Sequence, residues 1–344
     1  MTIRNKAAIV GIGQTEFSKD SGRSTLRMAL EAILQALDDA GLKPKDVDGV
    51  VKMSANNDIF EIDLLRSLNL SNLRFFHEIP HGGGVGGWGQ DKIPHGLVTP
   101  AQWVAIFGQR YLHEYGHTTE VFGRVSVLCR KHAATNPHAM MYERPITLED
   151  HQISRWITEP LRLFDCCLDT DGASAAIVVS AEKAKQLKGT PAYIAAAAQG
   201  TGSRTEMMTS YQRKSLARLE EAEATAAELY RTAELEPKQI DVAEIYDHFT
   251  PMVLMALEAY GFAGLGQAPQ LFLEGRLELD GDLPMNTHGG HLGEGYLHGF
   301  GHIIEGVRQI RGSAVNQVEN VKTCLVTSGT GVPTSAIILS KEAH

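Results

Sequence analysis

The sequence predicts a layered α/β protein built from two copies of one unit. Residues 236–245, EPKQIDVAEI, echo residues 43–52, KPKDVDGVVK, with Pro237 standing 193 positions after Pro44. The copies also end alike, in SAAIVVSAEKA (174–184) and SAIILSKEA (335–343). Within each copy, short apolar runs alternate with helical patterns, which favours a largely buried sheet covered by helices. These boundaries give a first half from residues 1–87 and 169–185 and a second half from 186–344. Residues 88–168, rich in Arg, His and aromatics, form an insertion expected to act as a lid.

Each element has its own signal. Residues 7–12 are a short apolar strand. Ser24 is placed to cap a helix running to about residue 40, with Leu26, Leu30, Ile33, Leu34 and Leu37 as its inner stripe and Gly41 and Pro44 ending it. A strand over 47–53, a short helix over 59–68 and a strand over 73–77 follow. The second copy restarts with a strand over 193–198 and a helix over 222–233. Its later part holds a glycine-rich stretch, NTHGGHLGEGYLHGFGHIIEGVRQIRG (286–312), and a strand over 321–327. Tyr296, Ile303, Ile304, Val307 and Ile310 fall near a 3.6-residue period, predicting a helix over 294–312. Its glycines require close backbone approach, so the helix is expected deep inside. Its N-terminal N–H groups would face an anionic carbonyl oxygen. After HGGGVGG (81–87) the first copy has no such helix and strand. Judged from the repeat, roughly 40–50 residues are missing there, and their loss would expose a core.

Composition narrows the function classes. At 43% hydrophobic and 21% charged, the 344 residues fit a soluble globular protein, and no apolar run reaches membrane-spanning length. The N-terminus lacks the apolar core of a signal peptide, and four cysteines, two of them adjacent, form no disulfide framework; a reducing cytoplasm is expected. A net charge of −9 argues against nucleic-acid binding.

With its two-copy unit, its insertion and the motifs EIYDHFTP, NTHGG and TSGTG, the chain resembles the thiolase superfamily over nearly its whole length. FDCCLDTDGASAAIVVS (164–180) is similar to the segment closing the first half in the sterol-carrier, or lipid-transfer-protein, branch. The resemblance implies a five-layer αβαβα fold and a homodimer. The departures from the family pattern matter most. Where the branch has its nucleophilic cysteine, this chain reads HEIPHGGGVGG. Where it has His-Asp-Cys-Phe, this chain has Tyr246-Asp247-His248-Phe249, and Gly-His-Pro is replaced by Gly295-Tyr296-Leu297. The last thiolase cysteine is absent from the TSGTG turn (327–331), and Cys324 lies about three residues too early.

Without a cysteine no covalent acyl-enzyme forms, so thiolysis by the usual route is excluded. A retro-aldol cleavage needs only a base for a β-hydroxyl and an acid for the enolate. Tyr246 and Tyr296 stand at the two inherited catalytic places, with acid and base unassigned and a shared relay open. The pattern resembles the thiolase-like aldolases of steroid side-chain degradation. Those cleave a β-hydroxyacyl-CoA to a ring ketone and propionyl-CoA, with an OB-fold and zinc-ribbon partner from the preceding enzyme of the pathway. The resemblance therefore implies an acyl-CoA substrate, such a partner, and no cofactor beyond the CoA of the substrate.

Asp247, His248, His288, Gly289, Gly290, His81 and Gly331 are the candidates for substrate binding or for orienting the tyrosines; the simpler reading of each is a structural histidine or a tight turn. His298 and His302 have the i, i+4 spacing of some zinc sites, but the surrounding loop matches no zinc signature, and no metal is expected. Arg124, Arg130, Lys131, Arg144, Arg155 and Arg162 are candidates for the CoA phosphates, against the commoner reading of a solvated basic face. The rival functions are a degradative thiolase whose cysteine lies in the missing segment, and a non-catalytic acyl-CoA or lipid-binding scaffold.

Overall fold

The computed structural model describes residues 3–53, 58–79, 92–202, 211–329 and 334–343. His81 and Gly331 lie outside the described residues, as do Gly82, Gly83 and Gly84. The first half runs β1 (Ala7–Gln14), α1 (Thr25–Ala40), a 3₁₀ turn (Pro44–Asp46), β2 (Gly49–Lys52), α2 (Glu61–Leu68) and β3 (Phe75–Glu78). Ser24 caps α1 by accepting the Arg27 N–H, and Gly41 ends it at φ 66°. Next come α3 (Pro100–Tyr115), α4 (Glu120–Ala134), α5 (Leu148–Ile153) and a small hairpin of β4 (Trp156–Thr158) and β5 (Leu161–Arg162). β6 (Ser174–Ser180) and α6 (Ala181–Ala184) close the half.

The second half repeats the series: β7 (Ala192–Gly200), α7 (Glu220–Ala233), a 3₁₀ turn (Pro237–Gln239), β8 (Val242–Glu244) and α8 (Thr250–Ala259). It continues with α9 (Ala268–Leu273), α10 (Gly290–Gly293), α11 (Phe300–Arg311), β9 (Thr323–Thr327) and β10 (Thr334–Ser340). The two proline turns that echo in sequence therefore occupy matching places in the fold. So do the closing strands: β6 pairs antiparallel with β1, and β10 with β7.

Strands of both halves share one sheet, in the order β6-β1-β7-β10-β9-β8, joined at the middle by Ala8 opposite Tyr193 and Ile9 opposite Ala192. In the second half β9 ties β8 to β10. Among the described residues the first half has no strand in that position, so β2 and β3 pair only with each other. Val51 and Phe75 are left 59% and 58% exposed, which is where the sequence anticipated an opened core.

The inserted region is more than a lid. Trp103, Phe107, Tyr111, Phe122, Val125, Leu128 and Cys129 of α3 and α4 are all buried, most of them in the largest core cluster, beside Met252, Val253 and Leu257 of α8. Its cations are correspondingly tied up. Buried Arg130 donates from Nε and Nη2 to the Arg144 carbonyl, and Arg162 lies over the Trp156 ring and donates to the Ser154 carbonyl. Arg124 and Lys131 border an open cleft with Leu128, Phe272, Leu277 and Glu278.

α1 lies against β1 so closely that a Cβ on Gly13 would stand 2.1 Å from the Ala32 carbonyl oxygen and 2.7 Å from the Ala36 nitrogen. Both obstacles are backbone, so Gly13→Ala is expected to cost about 1–3 kcal/mol. Thermal denaturation reads this directly, and an unchanged melting temperature would count against this packing.

Candidate functional site

The expected helix over 294–312 is divided. α10 ends at Gly293 and α11 begins at Phe300, because His298 (φ 49°) and Gly299 (φ 86°) adopt left-handed backbone that no helix continues through. Tyr296 consequently sits in the link and not at a helix N-terminus. There the Thr170 hydroxyl accepts the Tyr296 N–H at 2.9 Å and donates to its carbonyl at 3.1 Å. The buried helix itself is as expected: Gly301, His302, Ile304, Gly306, Val307 and Ile310 of α11 are enclosed beneath the sheet.

Tyr246 follows β8. Asn286, at φ 48°, fixes this strand end by accepting the Ile245 N–H at 2.7 Å and donating to the Ile245 carbonyl at 2.8 Å. The Tyr246 N–H donates to Thr327 Oγ1 at 2.9 Å. Its ring lies between two glycines: a Cβ on Gly299 would come within 2.9 Å and one on Gly329 within 2.7 Å of ring carbons. Gly329 of the TSGTG motif thus makes room for an aromatic ring.

These constraints bring the two phenols together. Tyr246 Oη lies 3.0 Å from Tyr296 Oη, and Tyr296 Oη lies 3.0 Å from His298 Nδ1. The chain of hydroxyls leads from buried Tyr246 to half-buried Tyr296 and His298. Burial, then the neighbouring Tyr296, pushes the Tyr246 phenol well above its ordinary value. Burial also raises Tyr296, but there the hydrogen bond with Tyr246 works in the opposite direction. Both are neutral phenols at rest, and Tyr296 is the one better placed to lose a proton. His248 packs edge-on against the Tyr246 ring at 4.9 Å, and burial draws its pKa down to about 4, so it stands there as a neutral imidazole.

The other expected site residues lie beneath the tyrosines. The buried Asp247 carboxylate accepts the backbone N–H groups of His291 at 2.8 Å and Leu292 at 3.2 Å, and lies 3.1 Å from His302 Nε2. Burial opposes its ionisation, yet His302, His291 and the backbone N–H outweigh burial and hold its pKa below the usual range. The N–H groups of His291 and Leu292 in α10 are therefore spent on Asp247. Gly290 (φ 63°) lets the turn press onto that carboxylate: a Cβ there would lie 2.1 Å from Asp247 Oδ2. Gly289 packs on Ala133 of α4 in the same manner, and His288 is 2% exposed. Asp247, His288, Gly289 and Gly290 thus build the floor of the site.

All four cysteines have pKa values raised by burial, Cys166 to about 12 and Cys129, Cys167 and Cys324 further. None is a poised thiolate. Sequence reasoning missed Asn286, Thr170 and the place of His298 in the hydroxyl chain. Only the positive φ of His298, which no local pattern announces, brings its Nδ1 to Tyr296.

Comparison with known proteins bears on this geometry. Residues 202–341 match the family model "Thiolase C-terminal domain-like". A protein of Thermomonospora curvata named steroid side-chain-cleaving aldolase is 47% identical, over 98% of each chain. A Mycobacterium tuberculosis protein named 17-hydroxy-3-oxo-4-pregnene-20-carboxyl-CoA lyase is 45% identical, over 98% of this chain and all of that one. A solved structure described as an Ltp2-ChsH2(DUF35) aldolase superposes with a TM-score of 0.94 at 47% identity, over 99% of both chains. The Thermomonospora alignment spans 384 positions against the 344 residues here, so that relative carries residues without a counterpart in this chain.

Proposed function

The chain belongs to the thiolase superfamily, and from that premise we propose that it is an aldolase cleaving a bulky β-hydroxyacyl-CoA, of steroid side-chain type, to a ketone and propionyl-CoA. The observation that carries this reading is the hydrogen-bonded series Tyr246–Tyr296–His298, whose two tyrosines are the ones that the resemblance to thiolases puts in place of catalytic histidines. Tyr296 takes the proton of the substrate β-hydroxyl as its own passes to His298 Nδ1. The alkoxide collapses to the ketone, the Cα–Cβ bond breaks, and its electron pair stays on the thioester as an enolate. Tyr246 protonates the enolate carbon and is reprotonated from His298 through Tyr296. The proton count closes within these three side chains, and CoA enters only as part of the substrate. Burial raises the pKa of each of the four thiols in the chain, so none of them is a ready nucleophile for a degradative thiolase.

The assembly belongs to the same proposal. The similar structure is described as an assembly with a second component, which supports a partner protein here; an OB-fold and zinc-ribbon type for that partner, and a homodimer for this chain, are the finer parts of the proposal. Among the described residues no helix is long and apolar enough to cross a membrane, which fits a cytoplasmic enzyme.

The test is incubation of the protein, alone and with an OB-fold partner, with a 17-hydroxy steroid side-chain CoA thioester, following propionyl-CoA by mass. Release supports the proposal. Thiolysis of acetoacetyl-CoA without release would overturn it, and binding of the thioester without turnover would favour a scaffold. Within the reaction, His298→Asn is expected to lower kcat by about 10-fold with little change in KM, since asparagine accepts the positive φ but cannot carry the proton. An unchanged kcat removes His298 from the relay.

A further inference from the structure

Below the tyrosines lies a cluster that the proposed chemistry does not use. Glu244 at the end of β8, His288 in the glycine-rich turn and His302 on α11 place one ligand atom each within 4.8 Å of one another. All three residues are 0–2% exposed. Glu244 Oε2, both ring nitrogens of His288 and His302 Nδ1 have no hydrogen-bond partner among the described residues. Buried polar atoms of this kind are costly to leave unpaired, and four in one place require an explanation.

The geometry supplies one. Glu244 Oε2 and His288 Nδ1 are 3.1 Å apart, yet they are not aligned as donor and acceptor. For metal–ligand bonds of about 2.0 Å, the edge of a tetrahedron is about 3.3 Å. The two atoms are spaced as two ligands of one metal ion would be. His302 Nε2 donates to the Ile245 carbonyl at 3.0 Å, which leaves the Nδ1 lone pair for a metal. We propose that Glu244, His288 and His302 bind a divalent transition cation of the zinc type as a structural centre.

The surroundings match what such a centre needs. Metal-binding histidines carry a carboxylate or carbonyl behind the second nitrogen, which fixes the ring and its tautomer. Here Asp247 Oδ1 stands 3.1 Å from His302 Nε2, and Glu294 Oε2 stands 3.8 Å from His288 Nε2. The other Glu244 oxygen accepts from Thr287, through Oγ1 at 3.0 Å and N–H at 3.3 Å. Glu244, Asp247, Glu294 and Glu305 are all 0–2% exposed, and Arg308, 3.9 Å from Glu305, is a distant countercharge for so many carboxylates. A dication would balance them. A second triad, Asp247–His291–His302, shares one residue but is already engaged: Asp247 accepts backbone N–H groups, and His291 Nε2 accepts the Gly299 N–H at 3.0 Å. The centre would tie β8, the turn and α11 together directly beneath Tyr246. It takes only His302 from the i, i+4 pair of the sequence analysis, because His298 is not helical and its Nδ1 lies 3.0 Å from Tyr296 Oη.

The full-length, tag-free chain without its partner is the sample to test. Inductively coupled plasma mass spectrometry after desalting should find about one equivalent of zinc or a similar divalent metal per chain. Glu244→Gln and His288→Gln should each lose most of it. A crystal of the wild-type chain should give an anomalous peak between the three side chains at the metal edge. This last reading holds even if the variants fail to fold. Wild-type chain that retains less than about a tenth of an equivalent after incubation with Zn²⁺, Co²⁺ or Mn²⁺ overturns the proposal. So does metal that stays bound in His288→Gln, or an anomalous peak elsewhere.

Discussion

Tyr246→Phe and Tyr296→Phe are each expected to lower kcat by about 10²-fold or more, with the protein still folded. Each substitution removes one oxygen and leaves the ring in place between its neighbours. In Tyr246→Phe the Tyr296 hydroxyl keeps His298 as a partner, so the loss of structure is small. What disappears is the group proposed to protonate the enolate. In Tyr296→Phe the series is cut in the middle: Tyr246 loses its hydrogen-bonded neighbour and His298 loses its route to the substrate. The double variant is expected to be little worse than the worse single, because the two phenols act as one unit. Single-turnover release of propionyl-CoA measures all three, and a single variant that turns over at the wild-type rate withdraws the role assigned to that tyrosine.

Asp247→Ala is expected to destabilise the protein by about 3–5 kcal/mol, because it removes one member of a fully buried ionic cluster. The backbone N–H groups of His291 and Leu292 lose their acceptor, and His302 loses the carboxylate beside Nε2. No solvent reaches the vacated position to replace it, since Asp247, His291 and His302 are each 0% exposed. Asp247→Asn keeps the shape and one acceptor oxygen and is expected to cost less. Urea denaturation separates the two through their midpoints, provided the slopes agree. Equal, small losses in both variants would show that the turn is held by its glycine packing on Ala133 and not by the carboxylate.

The proline-turn repeat, the capped α1 and the apolar strands were legible because each is a local pattern. Hydrophobic period, a capping serine and a terminating glycine act over a few residues, and the repeat states the same rule twice. The division of the 294–312 helix was not legible. Its hydrophobic period continues across the break, whereas the left-handed backbone at His298 and Gly299 is imposed by the packing of the Tyr246 ring and the hydroxyl series. The inserted region read as a lid for a related reason: its Arg, His and aromatic content suits a surface, while its burial depends on α8, which lies over a hundred residues away in sequence.

By itself the sequence determined the α/β class and its repeat signature, and through its resemblance to thiolases it pointed to Tyr246 and Tyr296 as the residues to examine. Those are readings of residue type along the chain. Tertiary structure alone decided that the two phenols and His298 form one hydrogen-bonded series, that Asp247 engages the His291 and Leu292 N–H groups, and that Glu244, His288 and His302 come together. Each of these rests on contacts between segments many residues apart, set by sheet order and close glycine packing to within tenths of an ångström. Residue spacing along the chain carries no record of such distances.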